Sequence, residues 1–208
     1  MLEESVSRYL DSINHLDKDF EAIIKSAREL KVPIVSNAVA GFLKTLVMIK
    51  KPRRVCEIGT GFGISTLSIA RYLEKDAHIV SCDLSINSCK FVQNEIERRN
   101  LSGSISVVNK GGIDFLKDLK ENNEEFDFCF IDAVKSEYKD YLDLLLEIVK
   151  KGSILVFDNV LWKGEVAESS LSRKAVALRE FNSYFMKLDK IEGSILSIGD
   201  GIALGIVK

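Results

Sequence analysis

Arg53-Arg-Val-Cys-Glu-Ile-Gly-Thr-Gly-Phe-Gly63 decides how the rest of this chain is read. A β-type run ends in an acid and a glycine turn, and a helix-like run from Ile64 to Tyr72 follows. That is the first β-turn-α unit of a nucleotide-cofactor fold. Glycine is required where the backbone turns sharply and must leave room for a ligand lying against it. The glycines fall at 59, 61 and 63, and Ile64 stands where the third glycine of a dinucleotide fingerprint would be. Glu57 puts a carboxylate just before the turn, where a pyrophosphate is repelled and an ammonium or sulfonium is welcome. The combination favours S-adenosylmethionine over a dinucleotide.

Working outward, strand-like and helix-like runs alternate. Strands are expected near 53–58, 78–82, 104–108, 126–131 and 153–157, with helices over 63–73, 86–99, 112–120, 137–149 and 172–187. Alternation at this spacing implies a mainly parallel sheet covered on both faces. Ile191 to Ile198, Gly199-Asp200-Gly201 and Ile202 to Val207 read as two strands joined by a tight turn. Before the first strand, helical periodicity covers 3–13, 17–30 and 36–49, interrupted at Val32-Pro33.

The 208 residues suit a single domain, 1–208, burying about 70 % of its unfolded surface. A net charge of −2 advertises neither nucleic acid nor an anionic membrane. The basic clusters Lys50-Lys51 with Arg53-Arg54, Arg98-Arg99 and Arg173-Lys174 are short and read as solvated surface. Cys56, Cys82, Cys89 and Cys129 lack metal-finger spacing, and Cys56, Cys82 and Cys129, in apolar strand-like runs, suit buried hydrophobes in a reducing compartment. With no basic–apolar leader pattern and no apolar run of membrane-spanning length, the chain reads as cytoplasmic.

Asp83 ends the second strand, where an acid can accept both ribose hydroxyls of a nucleotide cofactor or, alternatively, cap the next helix. Ser85 is a competing cap that would leave Asp83 free. Asp132 ends the fourth strand in Phe126-Asp-Phe-Cys-Phe-Ile-Asp132, and Lys135 follows three residues on, a spacing also typical of a surface ion pair. The fifth strand, Ser153-Ile-Leu-Val-Phe-Asp158-Asn159, ends in another acid with an amide beside it. Asp132, Asp158 and Asn159 together would form an oxygen-only site suited to Mg²⁺; Asp158-Asn159 alone is equally a turn after a strand.

These residues give the chain a resemblance to the metal-dependent O-methyltransferases, the group of the catechol and caffeoyl-CoA O-methyltransferases. The likeness runs from about Val32 to Lys208 through Glu57-Ile-Gly-Thr-Gly, Phe130-Ile-Asp-Ala-Val-Lys-Ser-Glu-Tyr138, Asp158-Asn-Val-Leu-Trp-Lys-Gly-Glu-Val166 and Ile198-Gly-Asp-Gly-Ile202. It implies an α/β, Rossmann-like class I methyltransferase fold, a seven-stranded mainly parallel sheet with a C-terminal antiparallel hairpin and helices on both faces. It further implies Mg²⁺ or another divalent cation on Asp132, Asp158 and Asn159, with Lys135 and Asp132 catalytic. S-adenosylmethionine would be held by Val35, Glu57, Gly59, Gly61, Ser65 and Asp83, with Asp132 bordering it.

Relatives carry an acid in the stretch that meets the adenine; here it is Gly111-Gly112-Ile113, so Gly112 and Ile113 offer backbone contacts. The expected acceptor is a small molecule with adjacent oxygens, catechol-like or caffeoyl-type. A hydroxylated uridine in tRNA is the alternative, and a non-catalytic cofactor-binding protein a remote one. Helices 1–50 and the segment Leu161 to Ser172 are expected to wall the acceptor site, the helices also serving a homodimer. Trp162 either stacks an aromatic ring or packs its loop down.

Overall fold

The computed structural model describes residues 4–14, 16, 18–170 and 172–208. Compact units span residues 2–110 and 111–208, and each is taken in turn. The strand order of the whole sheet is β3-β2-β1-β4-β5-β7-β6, the expected seven strands with the strand labels below.

In the first unit, α1 (Glu4–Ile13), a 3-10 turn (Lys18–Phe20), α2 (Glu21–Glu29) and α3 (Asn37–Lys50) precede β1 (Arg54–Ile58), α4 (Ile64–Ala70), β2 (His78–Asp83), α5 (Ile86–Arg98) and β3 (Ile105–Asn109). The first residues of the expected helix at 3–13 and of that at 17–30 lie outside the described residues. Helix α3 starts on the Ser36 side chain, which accepts from the Val39 N–H, and ends at Lys51 in the left-handed conformation just before Pro52. Helix α4 stops at Ala70, short of the expected 73, because the chain tightens into i→i−3 bonds from Tyr72 and Leu73. Arg71, the residue after it, is bonded to Asp19 at 2.7 Å. The pair Arg98-Arg99 is more than solvated surface: both bond Glu95, and Arg99 also donates to the Asp19 carbonyl.

Strand β1 pairs in parallel with β2, which brings Glu57 opposite Ser81. The four cysteines are buried as free thiols. Cys56 on β1 and Cys82 on β2 are fully enclosed, and burial pushes the Cys82 thiol far up. Among the described residues no helix is long and apolar enough to cross a membrane.

The second unit runs α6 (Gly112–Glu121), β4 (Phe126–Ile131), a 3-10 turn (Lys135–Glu137), α7 (Tyr138–Leu145), β5 (Val149–Asp158), a 3-10 stretch (Trp162–Ala167), α8 (Arg173–Lys187), β6 (Ile191–Leu196) and β7 (Ile202–Val207). Every residue of β4 is buried, as in a strand covered on both faces. Strand β5 begins earlier than the expected 153. Phe126 pairs with Val149 and Phe128 with Ile154, so Lys150 to Ser153 bulge out of register around Gly152 at φ 81°. That early start also ends α7 at Leu145 rather than 149.

The hairpin is as expected, with β7 antiparallel to both β5 and β6. Gly193 and Gly205 face each other across it, and Phe185 of α8 lies on them. A Cβ on Gly193 would come within 2.7 Å of the Phe185 ring, and one on Gly205 within 2.8 Å of it. Phe185 joins Phe157, Phe181 and Tyr138 in a chain of ring contacts with centroids 4.8–6.0 Å apart, which fixes α8 on the sheet.

Candidate active site

The glycine turn after β1 has the backbone its sequence demands: Gly59, Gly61 and Gly63 sit at φ 97°, 51° and 83°. The amides of Gly59 and Thr60 both donate to the Cys82 carbonyl, fastening the turn to the end of β2. The Gly61 N–H donates to Asp83 Oδ2 at 2.9 Å, and Asp83 Oδ1 accepts from the Ser85 N–H at 2.8 Å. Ser85 is the cap of α5, accepting from the Ser88 N–H. Asp83 is therefore not a helix cap, but neither is it free, since it braces the glycine turn. A carboxylate with one bond on each oxygen has lone pairs left for a diol. The backbone at Gly61 is open, the nearest atom to a would-be Cβ being the Pro33 carbonyl at 3.8 Å. A half-exposed acid beside an open glycine turn fits the ribose of an adenosyl cofactor.

Glu57 has a different setting from the one its position suggests. Its side chain is fully buried, with Oε1 accepting from Ser65 Oγ at 2.6 Å and Oε2 from Ser81 Oγ at 2.6 Å and from the Thr66 hydroxyl. Thr66 is shared with Thr60 at 2.7 Å. A buried carboxylate needs such donors to offset its lost hydration. Glu57 and Ser65, both expected at the cofactor, are thus bonded to each other and stiffen the turn from beneath. Val35 is buried in the irregular segment before α3.

In the second unit, Gly112 is the first residue of α6, with Gly111 at its N-cap and Ile113 half-buried next to it. Asp132 and Asp158 follow directly on the paired residues Ile131 and Phe157, so parallel register sets the two acids level at the carboxyl ends of β4 and β5. Lys135 lies in a 3-10 turn rather than an open loop and is buried rather than on the surface. Its Nζ donates to Asp132 Oδ1 at 2.7 Å, to the Tyr138 hydroxyl at 2.5 Å and to the Asp158 carbonyl at 3.3 Å. One acceptor for each of three hydrogens leaves the ammonium little freedom to swing.

Asp158 is almost fully buried, and its Oδ1 accepts from the Asn159 N–H at 2.7 Å. Burial, reinforced by the Asp132 charge, pushes its carboxyl up to about 7. Asn159 takes the left-handed conformation at φ 60°, which asparagine tolerates better than most residues. Two repelling carboxylates and an adjacent amide make a hard oxygen set that a divalent cation would relieve. Among the described residues no group of three or more His, Cys, Asp or Glu could hold a metal ion; the third donor expected from the sequence, the Asn159 amide, is not one of those residue types.

Tyr138 is a residue of the candidate site that sequence reading did not single out. Its ring is wholly buried, and its hydroxyl donates to the Asp158 carbonyl at 2.8 Å while accepting from Lys135. Burial, with the charges of Asp132 and Asp158, raises its phenol well above the usual range, so the proton stays in place. The signal was available: Tyr138 falls three residues after Lys135, the spacing that stacks side chains on a helical turn. Trp162 is half-buried with the Lys174 ammonium 5.0 Å from its ring centre, which favours packing of the loop over a bare stacking surface.

Comparison with known proteins identifies the family. The O-methyltransferase family model matches residues 6–208. A caffeoyl-CoA O-methyltransferase of Populus kitakamiensis is 32 % identical over 172 residues, 78 % of this chain and 73 % of that protein. A catechol O-methyltransferase of Niastella koreensis is 30 % identical over 215 residues, 99 % of this chain and 97 % of its own. Among solved structures, an O-methyltransferase from Bacillus cereus in complex with SAH superimposes with a TM-score of 0.88 at 28 % identity, covering 98 % of this chain and 97 % of that one. A match that extends through both units and leaves out only the first five residues makes this chain a member of the O-methyltransferase family.

Proposed function

We propose that the chain transfers the methyl group of S-adenosylmethionine to one of two adjacent oxygens on a catechol-like or caffeoyl-type small molecule, with a divalent cation, Mg²⁺ by preference. The observation that carries this reading is the buried Lys135 ammonium tied to Asp132, Tyr138 and Asp158 at the carboxyl ends of β4 and β5. Support for the donor comes from the open glycine turn braced by Asp83 and from the SAH complex of the Bacillus cereus relative. Support for the acceptor comes from the names of the catechol and caffeoyl-CoA relatives.

When bound, the cofactor supplies an electrophilic methyl group, and the cation lowers the pKa of an acceptor hydroxyl. The rest falls to the chain. Val35, Glu57, Gly59, Gly61, Ser65 and Asp83 would seat the adenosyl group, Asp83 at the ribose. Asp132, Asp158 and Asn159 would hold the cation and orient the two acceptor oxygens. Lys135, held by Tyr138, steers the proton leaving the acceptor, a role that needs fixed geometry more than a mobile base. Exposed Tyr9 and Ile13 on α1 and Met48 and Ile49 on α3 are proposed as a homodimer surface.

The test is labelled methyl transfer into catechol, a caffeoyl thioester and undermodified tRNA, each with and without EDTA. Asp158→Ala and Asn159→Ala should abolish most transfer while leaving SAH affinity nearly intact. Full activity in EDTA, or in the Asp158→Ala protein, would sink the metal reading. Transfer to tRNA alone would replace the small-molecule acceptor.

A further inference from the structure

The segment that follows β5 holds an unusual backbone. Asn159, Trp162 and Lys163 all have positive φ, at 60°, 47° and 56°, and Gly164 follows at 83°. Three non-glycine residues in the left-handed region within five positions do not persist unless their surroundings hold them.

The holding bonds are specific. The Val160 N–H donates to the Gly201 carbonyl at 3.0 Å and the Leu161 N–H to the Asp200 carbonyl at 3.0 Å. The Lys163 N–H donates to the Asp200 carboxylate. From the other side, Asn182 Nδ2 on α8 donates to the Val160 carbonyl at 2.9 Å. The residue directly after Asn159 thus has both its backbone groups tied, one to the β6–β7 turn and one to α8. Gly201 explains how the turn comes so close: a Cβ there would lie 2.3 Å from Leu161 Cγ and 2.8 Å from the Leu161 nitrogen.

Asn182 itself has an imbalance. Its Oδ1 is buried and has no hydrogen-bond partner. A leucine of similar size would carry no such unmatched acceptor, so the amide is disfavoured on its oxygen side and useful only for the bond its nitrogen makes to Val160.

We propose that Asn182, acting with the Asp200-Gly201 turn, is a positioning residue for Asn159: it fixes the left-handed turn that brings this ligand beside Asp158. The proposal rests on the reading of Asn159 as a metal ligand, and the test separates the two. Mn²⁺ alone is titrated calorimetrically into the wild type, Asn182→Leu, Asp200→Ala and Asp200→Asn, and SAH affinity and thermal melting are followed on the same proteins. Asn182→Leu should bind Mn²⁺ about tenfold more weakly, with SAH affinity unchanged and a cooperative melt. Asp200→Ala removes the bond to Lys163 and also a charge felt at Asp158 and Lys135, so it is paired with Asp200→Asn, which removes the charge but keeps an acceptor for Lys163. Asp200→Ala should bind Mn²⁺ about threefold more weakly than Asp200→Asn, and that pair decides the matter if the leucine variant fails to fold. Wild type that binds no Mn²⁺ would remove the ligand reading and the proposal with it. Wild type that binds while the folded variants bind equally well would overturn the positioning role alone. Parallel losses of Mn²⁺ and SAH would also overturn it, as signs of general loosening.

Discussion

Replacing Tyr138 with phenylalanine removes one oxygen and leaves the ring among Phe157, Phe181 and Tyr141 unchanged. The 2.5 Å bond from the Lys135 ammonium and the 2.8 Å bond to the Asp158 carbonyl go with it, as does a longer 3.3 Å branch from the same hydroxyl to the Ile131 carbonyl. A bond to a charged group contributes about 1.5–3 kcal/mol and a neutral one about 0.5–1.5 kcal/mol. Lys135 keeps Asp132 and the Asp158 carbonyl, which itself keeps the longer bond from Lys135, so the loss is partly absorbed. The net cost should be roughly 2–3 kcal/mol, toward the low end of the combined range. Urea unfolding of the two proteins gives this directly, provided the slope of the transition is unchanged. A looser Lys135 should also lower kcat by about tenfold while KM stays within about twofold, as expected when a group acts in the transition state rather than in binding. A stability change below about 0.5 kcal/mol together with unchanged kcat would refute the reasoning, because it would mean the hydroxyl supports neither partner.

Asp83→Ala should weaken S-adenosylmethionine by about 1–3 kcal/mol in calorimetry. It should also lower the melting temperature, since the Gly61 and Ser85 amides lose their acceptor; unchanged affinity would confine Asp83 to bracing the turn. Gly205→Ala should destabilise by about 1–3 kcal/mol through overpacking, because the new methyl lies 2.6 Å from Ile191 Cγ2 and 2.8 Å from Phe185. An unshifted denaturation midpoint would show that Phe185 yields freely. Sedimentation at micromolar concentration should give twice the 23.3 kDa chain mass, and a clean monomer would dismiss the surface of α1 and α3 as a homodimer contact.

What could be read from sequence was what depends on local chemistry. The turn after β1 was legible because only glycine sits easily at three positive φ values so close together. Ser85 announced itself as a cap, and the hairpin followed from two apolar runs around Gly199-Asp200-Gly201. What stayed hidden depends on register and depth. The hydroxyl cluster around Glu57 exists because β1 and β2 align Glu57 with Ser81, and nothing within either strand says so. Lys135 looked like half of a surface pair because its burial is set by α7 and α8, elements far along the chain or beyond the turn itself. The bulge at Lys150 to Ser153 fell in the gap between the helix expected to end at 149 and the strand expected from 153.

The four enclosed thiols give the protein a property of practical use. Cys56, Cys82 and Cys129 stand in the central strands with no exposed surface, and Cys89 on α5 is nearly as covered; burial pushes the thiols of Cys82 and Cys89 up. A thiol that cannot be reached is silent toward alkylating reagents until the backbone around it opens. Labelling with iodoacetamide, read cysteine by cysteine in a mass spectrometer, would then act as a clock on the native state. Label reaching Cys89 ahead of the three strand cysteines would report helix α5 lifting away, and simultaneous labelling of all four would report opening of the whole chain.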